Sequence, residues 1–109
     1  MSEIKALTDK IKLFNQDRDW EQFHNVKDLA IALNIESSEL LELFLWKRDE
    51  DVNVEKVKEE LADIFTYALN LADKFGLSVT DIVESKLIKN AEKYPVEKAR
   101  GNSKKYNEL

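Results

Sequence analysis

Apolar residues recur at intervals of three and four along most of this chain. Ile4, Leu7, Ile11 and Phe14 begin the series, and with Ser2 as a hydrogen-bond acceptor ahead of them they predict an amphipathic helix over residues 3 to about 17. The stretch Arg18-Asp19-Trp20-Glu21-Gln22-Phe23-His24 breaks the period and predicts a loop that carries two aromatics and the only histidine. Asn25 can cap a second helix from Val26 to about Lys47, closed by the charged segment Arg48-Asp49-Glu50-Asp51. A third helix is expected from about Val54 to Phe75, with Gly76 just beyond its end. Ser78 or Thr80 can cap a fourth, which continues to Tyr94 and stops at Pro95. Val96 to Leu109, with Lys98, Arg100, Lys104 and Lys105, reads as a basic tail, extended or partly ordered. Without internal repeats or a long linker, residues 1–109 are expected to be one all-α domain built as a four-helix bundle.

Composition narrows the chemistry. Two glycines and one proline in 109 residues are too few for a turn-rich β protein, and 43% apolar content suffices for one modest core. The absence of cysteine excludes disulfides, thiolate metal sites and cysteine nucleophiles, and it suits a reducing compartment. No segment reads as a signal peptide or a membrane span, so a cytoplasmic protein without a membrane partner is expected. The net charge of -5 argues against binding a nucleic acid polymer. A small phosphorylated ligand remains compatible if a divalent cation bridges the two sets of negative charge.

The second helix supplies the first candidate ligands. At about 100° per residue, Leu33, Leu40 and Leu43 fall within roughly 40° of Leu29, and Glu36 falls among them. Glu39 lies at the border of that stripe, one turn on, whereas Glu42 points toward the polar side. The third helix repeats the arrangement. Val57, Leu61, Ile64, Ala68 and Leu71 define its stripe, Glu60 sits at the edge with Asp63 one turn further, and Glu59 faces nearly opposite. Two acid pairs, ExxE and ExxD, are thus aimed at the core or its border.

Unpaired carboxylates in an apolar setting are costly, and four together repel, so the arrangement requires compensation. Lysines on facing stripes could supply it, or the acids could reach solvent and form surface ion pairs, as most helical glutamates do. All-oxygen ligands at i and i+3 on two helices also suit Mg²⁺ or Mn²⁺, and this is the preferred reading. A carboxylate-bridged di-iron bundle would need ExxH on two helices. The only match is Glu21 with His24, in the predicted loop.

The fourth helix carries Lys86, Asn90 and Lys93 at i, i+4 and i+7, with Tyr94 one turn beyond Asn90. That ridge could grip phosphates and a sugar, although a solvated face is the commoner meaning of such a pattern. Trp20, Phe23 and Trp46 could stack on a base or simply fill a core. Trp46 follows Glu39 by seven residues, which places the two on one side of the second helix.

These residues resemble the all-α nucleotide pyrophosphohydrolases of the MazG superfamily, whose signature is ExxE followed some twenty residues later by ExxD. Here those are Glu36, Glu39, Glu60 and Asp63. The similarity extends from Asp19-Trp20-Glu21-Gln22-Phe23-His24, through Glu39-Leu40-Leu41-Glu42-Leu43-Phe44 and Trp46-Lys47, to Glu59-Glu60-Leu61-Ala62-Asp63, and is strongest to the dCTP pyrophosphatase branch. The resemblance implies that the four acids hold Mg²⁺ and that Lys86, Asn90 and Tyr94 contact phosphates and nucleotide; burial and like charge, which raise a carboxylate pKa, make Glu36 or Glu39 the expected general base. The resemblance further implies that Trp20 and Trp46 line the base pocket beside His24, and that the protein is a homodimer or homotetramer. The expected reaction is hydrolysis of a (d)NTP, dCTP-like or modified, to monophosphate and pyrophosphate in nucleotide-pool house-cleaning. One departure bears on base preference: Ile11 stands where animal members of that branch place a histidine. The rival expectation is a non-catalytic helical module that binds nucleotide or a protein partner without turnover.

Overall fold

The computed structural model describes residues 2–109. It is all-α, with no strand among the described residues. The helices are α1 (Glu3–Asp17), α2 (Val26–Glu42), α3 (Val54–Lys74), α4 (Val79–Lys93) and a one-turn α5 (Val96–Ala99). Each long helix begins with a side-chain cap. Ser2 Oγ accepts from the Lys5 N–H at 3.0 Å, Asn25 Oδ1 from Asp28 at 2.9 Å, Asn53 Oδ1 from Lys56 at 3.2 Å and Ser78 Oγ from Asp81 at 3.3 Å. These bonds satisfy amides that a helix start otherwise leaves unpaired. Of the two residues expected to cap α4, Ser78 does so.

Two helices end in the same reversal. At the end of α3, Gly76 adopts φ 66° while the Leu77 N–H donates to the Ala72 carbonyl and Gly76 to that of Asp73. At the end of α1 the Trp20 N–H donates to Asn15 and Asp19 to Gln16, with Asp19 at φ 55°. Both are Schellman motifs, and an aspartate tolerates the left-handed position better than most residues do. The segment after α1, expected as a loop, contains a 3-10 turn at Glu21–Phe23.

Helix α2 is shorter than its periodicity suggested. It ends at Glu42, and the Leu43, Phe44 and Leu45 amides donate to carbonyls three residues back, a tightening that winds the helix out. Trp46 follows at φ 60° and is 94% exposed. A bulky residue in the left-handed region is a true outlier, and it prevents the helical register from continuing to Lys47.

Contacts divide the chain after Leu77 into two compact units. In the first, α3 packs against both α2 and α1. Its core is small, with Leu29 wholly buried and Leu69 and Ala72 nearly so. Lys12 of α1 reaches Asp73 of α3 at 3.6 Å. The second unit, Ser78–Leu109, holds α4, α5 and the tail. Pro95 ends α4 and caps α5, accepting at its carbonyl from Lys98 and Ala99. The tail is more ordered than expected, closing with a 3-10 turn at Tyr106–Glu108. The Tyr106 ring meets Tyr94 edge-on at 6.2 Å and lies 4.9 Å from Lys93 Nζ. No helix among the described residues is long and apolar enough to cross a membrane.

Candidate active site

The register of α2 and α3 brings the acids together. Leu29, buried two turns before Glu36, turns that carboxylate toward α3, and Glu60 meets it from the opposite helix. One oxygen each of Glu36, Glu60 and Asp63 lies within 4.8 Å of the others. Glu36 and Glu60 are half-buried, while Glu39 and Asp63 keep contact with solvent. Glu42 and Glu59 are exposed, as their angular positions required.

Among the described residues no cation neutralises this group. The ion pairs of the described residues use Asp9, Asp73, Glu50, Asp51 and Glu55, and none involves the four acids. Oε2 of Glu36 and Oε2 of Glu60 are shut off from solvent without a hydrogen-bond partner. Removal from water raises the Glu36 pKa to about 7, aided by the neighbouring carboxylates of Glu39, Glu60 and Asp63. Loss of water also raises Glu60. Tyr67 is raised too, by burial and then by the charges of Glu36, Asp63 and Glu39.

These features fit a divalent cation. A buried carboxylate oxygen with no donor is costly unless a proton or a metal occupies it. A Mg²⁺ with ligands at about 2.0–2.1 Å holds its oxygens within roughly 4.2 Å of one another, a span that small side-chain adjustments reach from the observed cluster. Mn²⁺ accepts the same donor set. The residues able to hold the ion are Glu36, Glu60 and Asp63, with Glu39 alongside.

A cavity of about 170 Å³ opens beside Asp63. Its walls include Phe14, Trp20 and Tyr67, with Asn15, His24 and Asn70 between them. The Schellman motif of α1 explains the position of Trp20. It folds the chain back so that the indole meets Phe14 edge-on at 5.7 Å, the apolar contact that commonly accompanies this motif. His24 is half-buried, with Nδ1 3.2 Å from Asn70 Nδ2. A second recess of about 330 Å³, bounded by Lys10, Ile11, Phe14, Asp63 and Thr66, shares residues with the first.

Of the residues expected at the site, the structure therefore gathers Glu36, Glu39, Glu60 and Asp63, and sets Trp20 and His24 next to them. It does not bring Trp46 into this cavity. Lys86 and Asn90 share a shallow recess on α4 with Ile82, Val83 and Leu87, and Tyr94 is fixed by Tyr106. Sequence reasoning missed Asn15, Tyr67 and Asn70. A signal existed for two of them: Glu60, Asp63, Tyr67 and Asn70 follow one another at three, four and three residues, a single polar stripe along α3.

Residues 31–109 match the MazG-like family, and the chain belongs to that family. It is 38% identical over 104 residues to dCTP pyrophosphatase 1 of Mus musculus and to that of Homo sapiens, a match that covers 88% of this chain. The chain spans only 61% of the length of those relatives. The crystal structure of a pyrophosphatase from Archaeoglobus fulgidus DSM 4304 superimposes with a TM-score of 0.78 at 35% identity, covering 87% of this chain and 94% of that one. The resemblance drawn from the paired acids is thus borne out, as is the all-α architecture.

Proposed function

We infer that residues 1–109 act as one domain of a magnesium-dependent nucleoside triphosphate pyrophosphohydrolase. It converts a (d)NTP and water to (d)NMP and pyrophosphate, with dCTP or a modified dNTP as substrate. The observation that carries this reading is the uncompensated meeting of Glu36, Glu60 and Asp63, with Glu39 beside them, next to an aromatic cavity. The names of the relatives, dCTP pyrophosphatase 1 and a pyrophosphatase, agree with it.

Glu36, Glu39, Glu60 and Asp63 hold the cation. When bound, Mg²⁺ neutralises the triphosphate and favours in-line attack at the α-phosphorus. Glu36 or Glu39 accepts the proton of the attacking water. Trp20 stacks on the base, His24 borders it, and Trp46, exposed on its turn, supplies a further aromatic surface to the nucleotide. Lys86, Asn90 and Tyr94 contribute contacts to phosphates and sugar.

The protein works as a homodimer or homotetramer. Ile31 and Ile35, one turn apart on α2, are about half exposed, and Ile82, Val83, Leu87 and Ile88 of α4 are at least 42% exposed. Uncovered apolar surface of this kind on α2, and separately on α4, marks surfaces for interaction. A house-cleaning role among soluble nucleotides places the protein in the cytoplasm, without a nucleic acid polymer or a membrane as partner.

The test is to incubate purified protein with each dNTP and NTP, and with oxidised dNTPs, in Mg²⁺, with and without chelator, and to identify the products. Chelator-sensitive release of monophosphate and pyrophosphate is expected. Failure to turn over any canonical or oxidised nucleotide would contradict the assignment and favour a binding module.

A further inference from the structure

The cavity beside the acids contains polar groups that metal binding and phosphate chemistry do not use. Asn15 and Asn70 are 6% and 5% exposed. The third buried polar residue, Thr8, satisfies its hydroxyl on the Ile4 carbonyl at 2.9 Å. The Asn15 side chain has no hydrogen-bond partner among the described residues. Its amide atoms are nonetheless not shut off completely, because among the described residues the buried side-chain atoms left without partners belong to Glu36 and Glu60. Asn15 also lines the cavity, so a residue whose carboxamide has both a donor and an acceptor unpaired borders that space.

Asn70 is half committed. Its Nδ2 lies 3.2 Å from His24 Nδ1, a contact in which the amide N–H donates when the ring carries its proton on Nε2. Asn70 Oδ1 and the His24 Nε2–H are then left as one acceptor and one donor. Buried side-chain amides are almost always paired with protein or ordered water, and two that keep spare capacity on the same cavity are the groups there able to bond a ligand's polar edge.

The shape of the space limits that ligand. A volume of about 170 Å³ is below the roughly 300–1,000 Å³ typical of pockets that enclose a whole small molecule. It suits one planar ring between the aromatic surfaces of Phe14, Trp20 and Tyr67. Asp63 also borders the cavity, so a ring seated there has its attached sugar and phosphates on the side of the acid cluster.

We propose that Asn15, with the Asn70–His24 pair beside it, reads the hydrogen-bonding edge of a single-ring nucleobase and sets the base preference of the enzyme. A carboxamide presents a donor next to an acceptor, which pairs with the adjacent acceptor and donor on the edge of a pyrimidine. A larger base must either displace the aromatic walls or leave the amides unpaired. The inference rests on the nucleotide-hydrolase reading above and deepens it by naming the groups that choose the base.

The experiment compares wild type, Asn15→Leu and Asn70→Leu for kcat/KM on dCTP, dUTP, dTTP, dATP and dGTP, with folding checked by circular dichroism. Wild type should prefer a pyrimidine. Asn15→Leu should lower kcat/KM for that substrate on the order of 100-fold, chiefly through KM, and shrink the gap between pyrimidines and purines to less than about tenfold. Unchanged ranking and ratios in both folded variants would overturn the proposal. A direct binding measurement covers the cases in which a variant does not fold or wild type hydrolyses nothing. In a Trp46→Phe background Trp20 is the sole tryptophan, and its fluorescence reports free pyrimidine and purine nucleosides. Tighter quenching by pyrimidine nucleosides supports the proposal even if the hydrolase reading fails, and equal or absent quenching by the two classes overturns it.

Discussion

The two ends of the polar stripe on α3 solve opposite problems. At one end Glu60 and Asp63 face Glu36 across the helix interface with no counter-charge, and the fold is incomplete without a proton or a cation. At the other end Asn70 is more deeply buried, yet it is neutral and already bonded to His24. Burial of the amide is stabilised by its partner, whereas burial of the acids stores repulsion that a ligand relieves. One helix face therefore carries a site that demands its ligand and a site that is set in advance to select one.

If the charged end is the chemical end, its substitutions should have the largest effect. Glu36→Gln, Glu60→Gln and Asp63→Asn should each lower kcat/KM for the preferred nucleotide by about 100-fold or more while circular dichroism stays helical. Activity near wild type in these variants would move the chemistry elsewhere. The aromatic wall should matter less. Trp20→Ala should raise KM by roughly 5- to 100-fold, the range expected for losing a base-stacking surface, with Trp20→Phe intermediate.

The pH dependence of stability separates the two ends without substrate. In the metal-free protein Glu36 titrates at about 7, against an ordinary value of 4.5. The folded state then binds more protons than the unfolded chain between these values, so stability is fullest below about pH 4.5 and is lost as pH rises through about 7. Melting in chelator should fall by several degrees from pH 5 to pH 8, and Glu36→Gln should flatten that slope. A metal-free melting temperature that rises over this interval would contradict the assignment. The smallest effect is structural. Asp19→Gly places the favoured residue at the left-handed position of the α1 reversal, and it should change stability by no more than about 1 kcal/mol, read as a shift in melting temperature. The gain is limited by loss of the bond from Gln22 Nε2 to Asp19 Oδ2 at 2.9 Å.

The charged end was legible in the sequence and the neutral end was not, for physical reasons. Carboxylates on an apolar stripe violate the helical pattern, so Glu36 and Glu60 announce themselves by spacing alone. Asn15 and Asn70 interrupt the pattern only mildly, and their meaning depends on burial that emerges when α1 and α3 pack. The helices were legible because Ser2, Asn25, Asn53 and Ser78 cap them and Gly76 and Pro95 end two of them. The end of α2 was not, since apolar residues continue through Leu45 and Trp46 while the backbone unwinds after Glu42. The order of the tail was hidden because it depends on Tyr106 meeting Tyr94 and Lys93.

The central claim is that the acids of α2 and α3 form a cation site, and the most direct measurement is thermal melting of wild type and Glu36→Gln at pH 8 across a Mg²⁺ titration. Wild type should melt lowest in chelator and rise with the logarithm of Mg²⁺ concentration once the site begins to fill. Glu36→Gln should start higher in chelator, because one repelling charge is gone, and gain much less from Mg²⁺. Superimposable curves, or a wild type indifferent to millimolar Mg²⁺, would contradict the account.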